Sequence, residues 1–216
     1  MIAAVDFKKH ISKTLSGHLR ELGFKGSGFN YLMDTDDFVF TIGIQASQYG
    51  GQCCAEFGIQ PKSVDTNGFE KLDFKKLKYY SCELRTRIAP TGKGDKWWKY
   101  SESENENINI AIEISNLIKE QYVVVINAFK NNPNILETID TYDLENMYQR
   151  IPRKLNGMRI STSNVRFAWF LVKAFEKNNL EKAKEFARYG LSKLEPSDKF
   201  FAKNDFEQIL TENNGS

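Results

Sequence analysis

The stretch FVFTIGIQASQYGGQCCAEFGIQ, residues 38–60, alternates apolar and polar side chains on either side of a central pair of glycines. Because successive side chains of a strand point to opposite faces of a sheet, this alternation predicts two strands joined by a turn. One predicted face is apolar throughout and carries Phe38, Phe40, Ile42, Ile44, Cys53, Ala55, Phe57 and Ile59. An antiparallel hairpin with one core-facing side is therefore the centre of the predicted fold.

Two more strands extend this hairpin. FNYLMD, residues 29–34, precedes it across the polar turn DTDD, and CELRTRI, residues 82–88, follows it. Cys82, Leu84 and Ile88 continue the apolar face, whereas the residues between them are polar or charged. The pattern predicts an antiparallel sheet of about four strands, with one apolar face and one polar face.

The segments around the sheet have apolar residues at the three- and four-residue spacing of helices. This spacing predicts an N-terminal helix within residues 7–22 and a long central helix within residues 110–129, although the run YVVVI at residues 122–126 also suits a strand. Two further helices near the C-terminus are predicted to form a hairpin. We expect an α+β fold in which the sheet packs on the N-terminal and central helices. Its α+β domain is predicted at residues 1–150, with a helical C-terminal extension, residues 151–216, packed on it.

The composition is that of a folded chain without a dominant charge. Of 216 residues, 41% are hydrophobic and 27% are charged, which is typical of a globular protein. A net charge of +2 provides no strong field toward nucleic acid or an anionic membrane, so nucleic acid is disfavoured as a partner. The N-terminus lacks the pattern of a signal peptide, no apolar run is long enough for a membrane span, and three cysteines suggest no disulfide framework. We therefore expect a cytoplasmic protein, and abundant Asn, Lys and Ile suggest a bacterial one.

Several short elements, taken in order, resemble a protein family. HLRELGFKGSGFNYL at residues 18–32, the hairpin at residues 38–59, and CELRTRI with the tryptophans that follow it resemble the bacterial domain-of-unknown-function family numbered 4304. The resemblance extends over about residues 1–130. It implies an α+β domain and carries no activity with it, so candidate sites have to be inferred from the side chains themselves.

The polar face of the predicted sheet is the first candidate binding surface. Arg85 and Arg87 project to it from one strand, and a pair of guanidinium groups suits a carboxylate or a phosphate. The same face is predicted to carry Gln45, Ser47, Glu56 and Glu83. Gly43 and Gly58 lie there too and leave room for close approach. The alternative is a framework of salt bridges, in which the glutamates of this face pair with the two arginines.

Trp97 and Trp98 form the second candidate, at the edge of that face. They are flanked by Lys96 and Lys99, and aromatic rings interleaved with lysines can stack bases and contact phosphates. The alternative is that one tryptophan seals the edge of the core while the other lies over the preceding loop. That loop, GKGDK at residues 92–96, lacks the spacing of a phosphate-binding loop and is predicted to be a turn.

The sequence contains no residue pattern typical of a catalytic or metal centre. His10 and His18 are eight residues apart, which does not place two imidazoles on one metal, and Cys54 has no evident base beside it. We therefore expect a non-catalytic binding or protein-interaction module, with no metal or cofactor, that uses the polar sheet face. Its ligand is expected to be a protein partner or a small anion. The alternative is an enzyme or nucleic-acid binder acting on a phosphate-bearing ligand gripped by Arg85 and Arg87.

Overall fold

The computed structural model of the chain describes residues 2–91, 94–195 and 197–212. The strands are β1 (Lys25–Ser27), β2 (Asn30–Asp34), β3 (Phe38–Ala46), β4 (Gln52–Pro61), β5 (Leu84–Ile88) and β6 (Trp98–Lys99). The α-helices are α1 (Ala4–Glu21), α2 (Glu104–Gln121), α3 (Val123–Asn131), α4 (Thr141–Glu145), α5 (Met147–Lys154), α6 (Asn164–Phe175), α7 (Leu180–Ser192) and α8 (Lys203–Thr211). Short 3₁₀ helices lie at Tyr79–Ser81 and Ile135–Thr138.

The strands form one antiparallel sheet in the order β1-β2-β3-β4-β5, and β6 pairs with the first two residues of β4. In the central hairpin, Gly43 of β3 lies opposite Glu56 of β4. On the other side of β4, Arg87 lies opposite Glu56 and Arg85 lies opposite Gly58. The α+β class and the antiparallel sheet are therefore confirmed, with the short strands β1 and β6 added to the four that the sequence predicts.

The apolar face of the sheet packs against α1, α2 and α3. The ring of Phe57 lies 4.7 Å from that of Tyr122, and the ring of Phe38 meets that of Phe129 edge-on at 5.2 Å. From α1, the fully buried side chains are Phe7, Ile11, Leu15 and Leu19. Burying an apolar side chain of this size contributes about 1.5–3 kcal/mol, so this face is the main source of stability for the sheet.

The predicted central helix is two helices, α2 and α3, in direct succession at Tyr122. The run at residues 122–126 is helical rather than extended, because Val125 and Ile126 bury their side chains in the core. Tyr122 itself donates a hydrogen bond from its hydroxyl to the carbonyl of Arg87 at 3.3 Å. Tertiary packing thus outweighs the preference of β-branched residues for strands.

The C-terminal part of the chain contains the predicted helical hairpin, formed by α6 and α7. A further helix, α8, packs on α7, where Gly190 lies directly against the ring of Phe206. Buried side chains from α1 to α8 belong to one continuous apolar cluster. The division between residues 1–150 and 151–216 stays a prediction, and α5 runs across its boundary. In the described part of the chain, the helices are too short or too polar to cross a membrane.

Candidate functional site

The second face of the sheet is not the open polar surface that the strand pattern suggests. The connection between β4 and β5, residues 62–83, lies across it, and we call this connection the covering segment. Its side chains Leu72, Leu77 and Cys82 form a small apolar cluster with Val39 of β3. One end of the second face therefore belongs to the protein interior.

The two glycines of this face leave room for the protein's own side chains. A Cβ atom added at Gly43 would lie 1.8 Å from Cδ1 of Tyr79, and one added at Gly58 would lie 2.9 Å from Sγ of Cys82. Both contacts are far closer than a side chain tolerates. The expectation that these glycines admit a ligand is therefore wrong, because the covering segment already occupies the space.

Cys82 lies on the opposite side of the sheet from the one that the alternation predicts. Its thiol is 3.3 Å from the hydroxyl of Thr41, which belongs to the second face. The cause is the 3₁₀ helix at Tyr79–Ser81, which carries the chain across that face before β5 begins at Leu84. Strand alternation therefore starts two residues later than the sequence suggests.

Where the covering segment ends, a cleft of about 540 Å³ opens on the second face beside β5. We call it the β5 cleft. Its sheet residues are Gln45, Glu56, Arg85 and Arg87. Its other walls are Tyr79 and Tyr80 of the covering segment, Asp95 after β5, and Ser161 before α6. The cleft therefore brings together four of the eight residues that the sequence predicts for binding.

Arg87 has partners within the protein. Its guanidinium pairs with Asp95, its Nε atom lies 3.9 Å from Oε1 of Glu56, and its centre lies 5.2 Å from the middle of the Trp97 ring. Two carboxylates and an aromatic face together fix its orientation. The framework alternative therefore describes Arg87 well.

Arg85 differs from Arg87 although the two side chains leave the same strand on the same side. Its Nη1 atom donates to the carbonyl of Tyr80 at 3.4 Å, a long hydrogen bond. Among the residues that the structure describes, no carboxylate lies within ion-pairing distance of Arg85. Its guanidinium therefore lines the β5 cleft with most of its hydrogen-bonding capacity unused.

Glu56 lies at the floor of the cleft and is only 8% exposed. Burial raises the pKa of this carboxyl above its ordinary value, and the positive charges of Arg85 and Arg87 offset part of that rise. The carboxylate is shielded from solvent and already faces two cations. Glu56 is therefore placed as a countercharge to both arginines.

Glu83 is also buried, but it pairs with a residue that the strand pattern does not indicate. Its two carboxylate oxygens accept from Nε and Nη2 of Arg166 at 3.1 and 2.6 Å. Burial raises the pKa of Glu83, and the hydrogen bonds and charge of Arg166 act against that rise. This bidentate pair joins the end of the covering segment to the first turn of α6 and lies outside the β5 cleft.

Gln45 lies within β3, whereas Ser47 lies just after its end. Gln45 lies in the cleft, where its side-chain oxygen accepts from the thiol of Cys54 at 3.5 Å. Ser47 follows the end of β3 in the hairpin turn, and its hydroxyl accepts from the backbone N–H of Tyr49 at 3.2 Å. Ser47 is therefore a turn residue and not part of the cleft.

The tryptophans divide between the core and the surface. Trp98 is buried in the main core, and its ring N–H donates to Glu113 of α2 at 2.9 Å. Trp97 is half-buried beside the guanidinium of Arg87. One tryptophan therefore seals the sheet edge, as in the packing alternative, whereas the other lies against an arginine rather than over the loop alone. Of the predicted turn GKGDK, residues 92 and 93 lie outside the described residues.

The side chains near the cleft have little capacity for nucleophilic or metal chemistry. Cys54 is buried, and burial raises the pKa of its thiol to about 11, which keeps it protonated and unreactive near neutral pH. His10 hydrogen-bonds the side chain of Asn107 at 2.9 Å and is no partner for that thiol. Within residues 2–91, 94–195 and 197–212, no group of three potential ligands is placed to hold a metal ion.

The sequence patterns do not predict four of the residues that line the cleft. Tyr79 and Tyr80 are separated from the stretch CELRTRI only by Ser81, so their closeness to it in the sequence is a signal that could have found them. Asp95 lies in the turn after the same strand. Ser161 reaches the cleft because its backbone N–H donates to the carbonyl of Arg85 at 2.9 Å. No local pattern predicts that long-range contact.

The comparisons with known proteins identify a family. Searches of curated proteins and of solved structures each find no match. The family model described as "Domain of unknown function (DUF4304)" matches residues 15–131. This match contains the whole sheet, α2 and α3, and the C-terminal part of α1, so it includes every strand that forms the β5 cleft. The chain belongs to the DUF4304 family.

Proposed function

We propose that the protein is a non-catalytic binding module that holds a carboxylate of a partner protein in the β5 cleft. The observation that carries this proposal is Arg85, whose guanidinium lines the cleft and has no carboxylate partner among the described residues. A planar guanidinium with free N–H groups binds a carboxylate through two parallel hydrogen bonds. A partner's Asp or Glu, or its C-terminal carboxylate, supplies that group.

The neighbours of Arg85 support binding rather than catalysis. Glu56 faces two arginines, and Asp95 pairs with Arg87, so neither carboxylate is available as a general base. Tyr79 has its pKa raised to about 12, chiefly by burial, and keeps its proton near neutral pH. These groups shape the cleft and balance its charge.

A phosphate gripped by both arginines is less well supported. Arg87 already pairs with Asp95 and approaches Glu56, so its guanidinium would have to leave two carboxylates to reach a ligand. The remaining carboxylates of the cleft would also repel a dianion. A single carboxylate needs only Arg85. The three cysteines are free thiols, which suits our further proposal of a bacterial cytoplasm as the setting.

The test is a pull-down from cell lysate, with mass spectrometry, comparing wild type with Arg85→Ala. Arg188→Ala serves as the matched control, because Arg188 is an exposed arginine of α7 outside the cleft. Thermal unfolding first establishes that the three proteins are equally folded. We expect a partner that wild type and the control retain and Arg85→Ala loses. Equal recovery of every partner by Arg85→Ala would contradict the proposal.

A further inference from the structure

The β5 cleft continues on both sides, and Ser161 is the residue common to all its parts. A second cavity of about 600 Å³ shares Arg87, Asp95 and Ser161 with the cleft. A third, of about 390 Å³, shares Tyr80, Arg85 and Ser161 with it. We call the three adjoining cavities the β5 groove. Their lining follows the chain from Glu83 to Ala89, which suits an extended chain better than a single small ion.

Arg159 is the second arginine of the groove without a carboxylate partner. It lines the second cavity, and its side chain is exposed. In the described ranges of the chain, no ion pair or hydrogen bond holds the Arg159 guanidinium. It precedes Ser161 by two residues, and Ser161 is hydrogen-bonded to the backbone of Arg85. Arg85 and Arg159 therefore stand at neighbouring positions along one groove.

The acidic residues of the groove are all matched with arginines. Asp95 pairs with Arg87, Glu83 pairs with Arg166, and Glu56 faces both Arg85 and Arg87 from the floor. The groove thus has more arginines than carboxylates, and the guanidinium groups of Arg85 and Arg159 form no direct ion pair with a described residue. Each of these two groups is a separate place at which the groove can accept a carboxylate.

Three exposed aromatic side chains border the same groove. Phe69 is 75% exposed, Tyr80 is 55% exposed and Tyr148 is 80% exposed, and each lines one or more of the three cavities. Tyrosine and arginine are the side chains most often responsible for affinity at protein interfaces. Aromatic rings beside free guanidinium groups thus favour a peptide whose apolar side chains alternate with acidic ones.

We infer that the β5 groove binds an extended acidic peptide segment of the partner protein, with one carboxylate on Arg85 and a second on Arg159. This inference rests on the proposed function and adds a second anchor and a sequence preference to it. Two carboxylates separated by one intervening residue leave an extended chain on the same side, about 7 Å apart, so one peptide segment can present both to the groove. Side chains between the acids lie against Tyr80 and Tyr148.

A single-stranded nucleic acid is the competing occupant, and the charges of the groove disfavour it. Glu56 and Asp95 line the groove, and each successive phosphate of a strand would pass close to them. The net charge of +2 also provides little attraction toward a polyanion. A peptide with two carboxylates brings fewer negative charges past these residues than a strand with a phosphate at every nucleotide.

The test measures fluorescence anisotropy with fluorescein-labelled peptides that contain the sequence Glu-Tyr-Glu-Tyr between glycines. A second peptide has its first Glu replaced by Gln, and a labelled oligothymidylate represents nucleic acid. We expect wild type to bind the peptide with two glutamates about tenfold more tightly than the one with a single glutamate, as a charge-assisted hydrogen bond provides. In Arg159→Ala this preference disappears, whereas Arg188→Ala retains it.

The variants separate failure of this inference from failure of the proposed function. Loss of affinity in Arg85→Ala with an unchanged preference in Arg159→Ala would overturn the second anchor and leave the proposed function intact. Equal affinity of Arg85→Ala and wild type for the peptides would overturn both. Tighter binding of oligothymidylate than of either peptide, or no peptide binding at all, would overturn the acidic peptide as the ligand, and the lysate experiment would then decide the proposed function alone.

Discussion

The two faces of the sheet differ in what covers them. On the first face, α1, α2 and α3 supply large apolar side chains, and the central strands are buried along their length. On the second face, the covering segment supplies the small cluster of Leu72, Leu77 and Cys82. It also places the ring of Tyr79 against Gly43, and it covers only one end of this face. The other end of that face is the β5 cleft.

This difference shows how the fold keeps a guanidinium available. A face covered by three helices has no room for a charge, because burial of an unpaired ion is costly. A face that is covered by a single connection can keep charged side chains that are partly exposed to solvent. Arg87 forms direct ion pairs there, whereas Arg85 has only the more distant charge of Glu56. The candidate site lies where the covering segment ends, at Tyr79 and Tyr80.

The largest expected effect is that of Phe57→Ala on the first face. Phe57 is fully buried, with its ring 4.7 Å from that of Tyr122 and 6.4 Å from that of Phe40. Removal of such a ring costs about 3–5 kcal/mol in the free energy of unfolding. Leu72→Ala, in the small cluster of the second face, is expected to cost less. Urea denaturation of both variants measures the two losses of free energy of unfolding. A larger loss for Leu72→Ala would mean that the second face contributes more to stability than the first.

A smaller effect is expected from Gly43→Ala, which tests how the covering segment is seated. The new Cβ atom would lie 1.8 Å from Cδ1 of Tyr79, so the tyrosine and the chain around it must move. Overpacking of this kind costs about 1–3 kcal/mol. Because Tyr79 is a wall of the β5 cleft, peptide affinity should fall as well. Chemical denaturation and the anisotropy assay measure the two effects.

The matched control for this substitution is Gly17→Ala in α1. A Cβ atom added at Gly17 meets no atom within 4 Å, and the residue is exposed on the helix. Alanine in place of glycine stabilises an exposed helix position by about 0.5–1 kcal/mol. Equal stabilisation by Gly43→Ala would mean that Tyr79 does not rest on the sheet. The contrast between the two glycines isolates the contact from the backbone effect.

The first face could be predicted from the sequence because its cause is local. Alternation of apolar residues between Phe38 and Ile59 fixes which side chains face the core, and the helix spacing supplies the elements that cover them. The comparisons confirm the family resemblance to DUF4304, which rests on the same local elements.

The second face could not be predicted, because its contacts connect residues far apart in the sequence. Glu83 pairs with Arg166, and Arg85 is bonded to Ser161, and no periodicity links either pair. Strand parity placed Arg85 and Arg87 together as equivalent groups. Their difference depends on where Asp95 and Glu56 stand in space, so only the structure distinguishes the candidate anchor from the framework.

The smallest effect concerns Glu56, the buried carboxyl of the second face. Burial raises the pKa of Glu56 in the folded protein, so its ionisation costs folded-state free energy as the pH rises through that raised pKa, and costs nothing below the ordinary pKa of 4.5. Glu56→Gln cannot ionise. The free energy of unfolding of the variant should therefore rise relative to that of wild type as the pH increases from acidic to neutral. Urea denaturation at several pH values measures this difference. Glu120→Gln, an exposed glutamate of α2, controls for the loss of one charge. An advantage that falls as the pH rises would mean that attraction to Arg85 and Arg87 outweighs the cost of burial, and the second face would then resemble a salt-bridged framework.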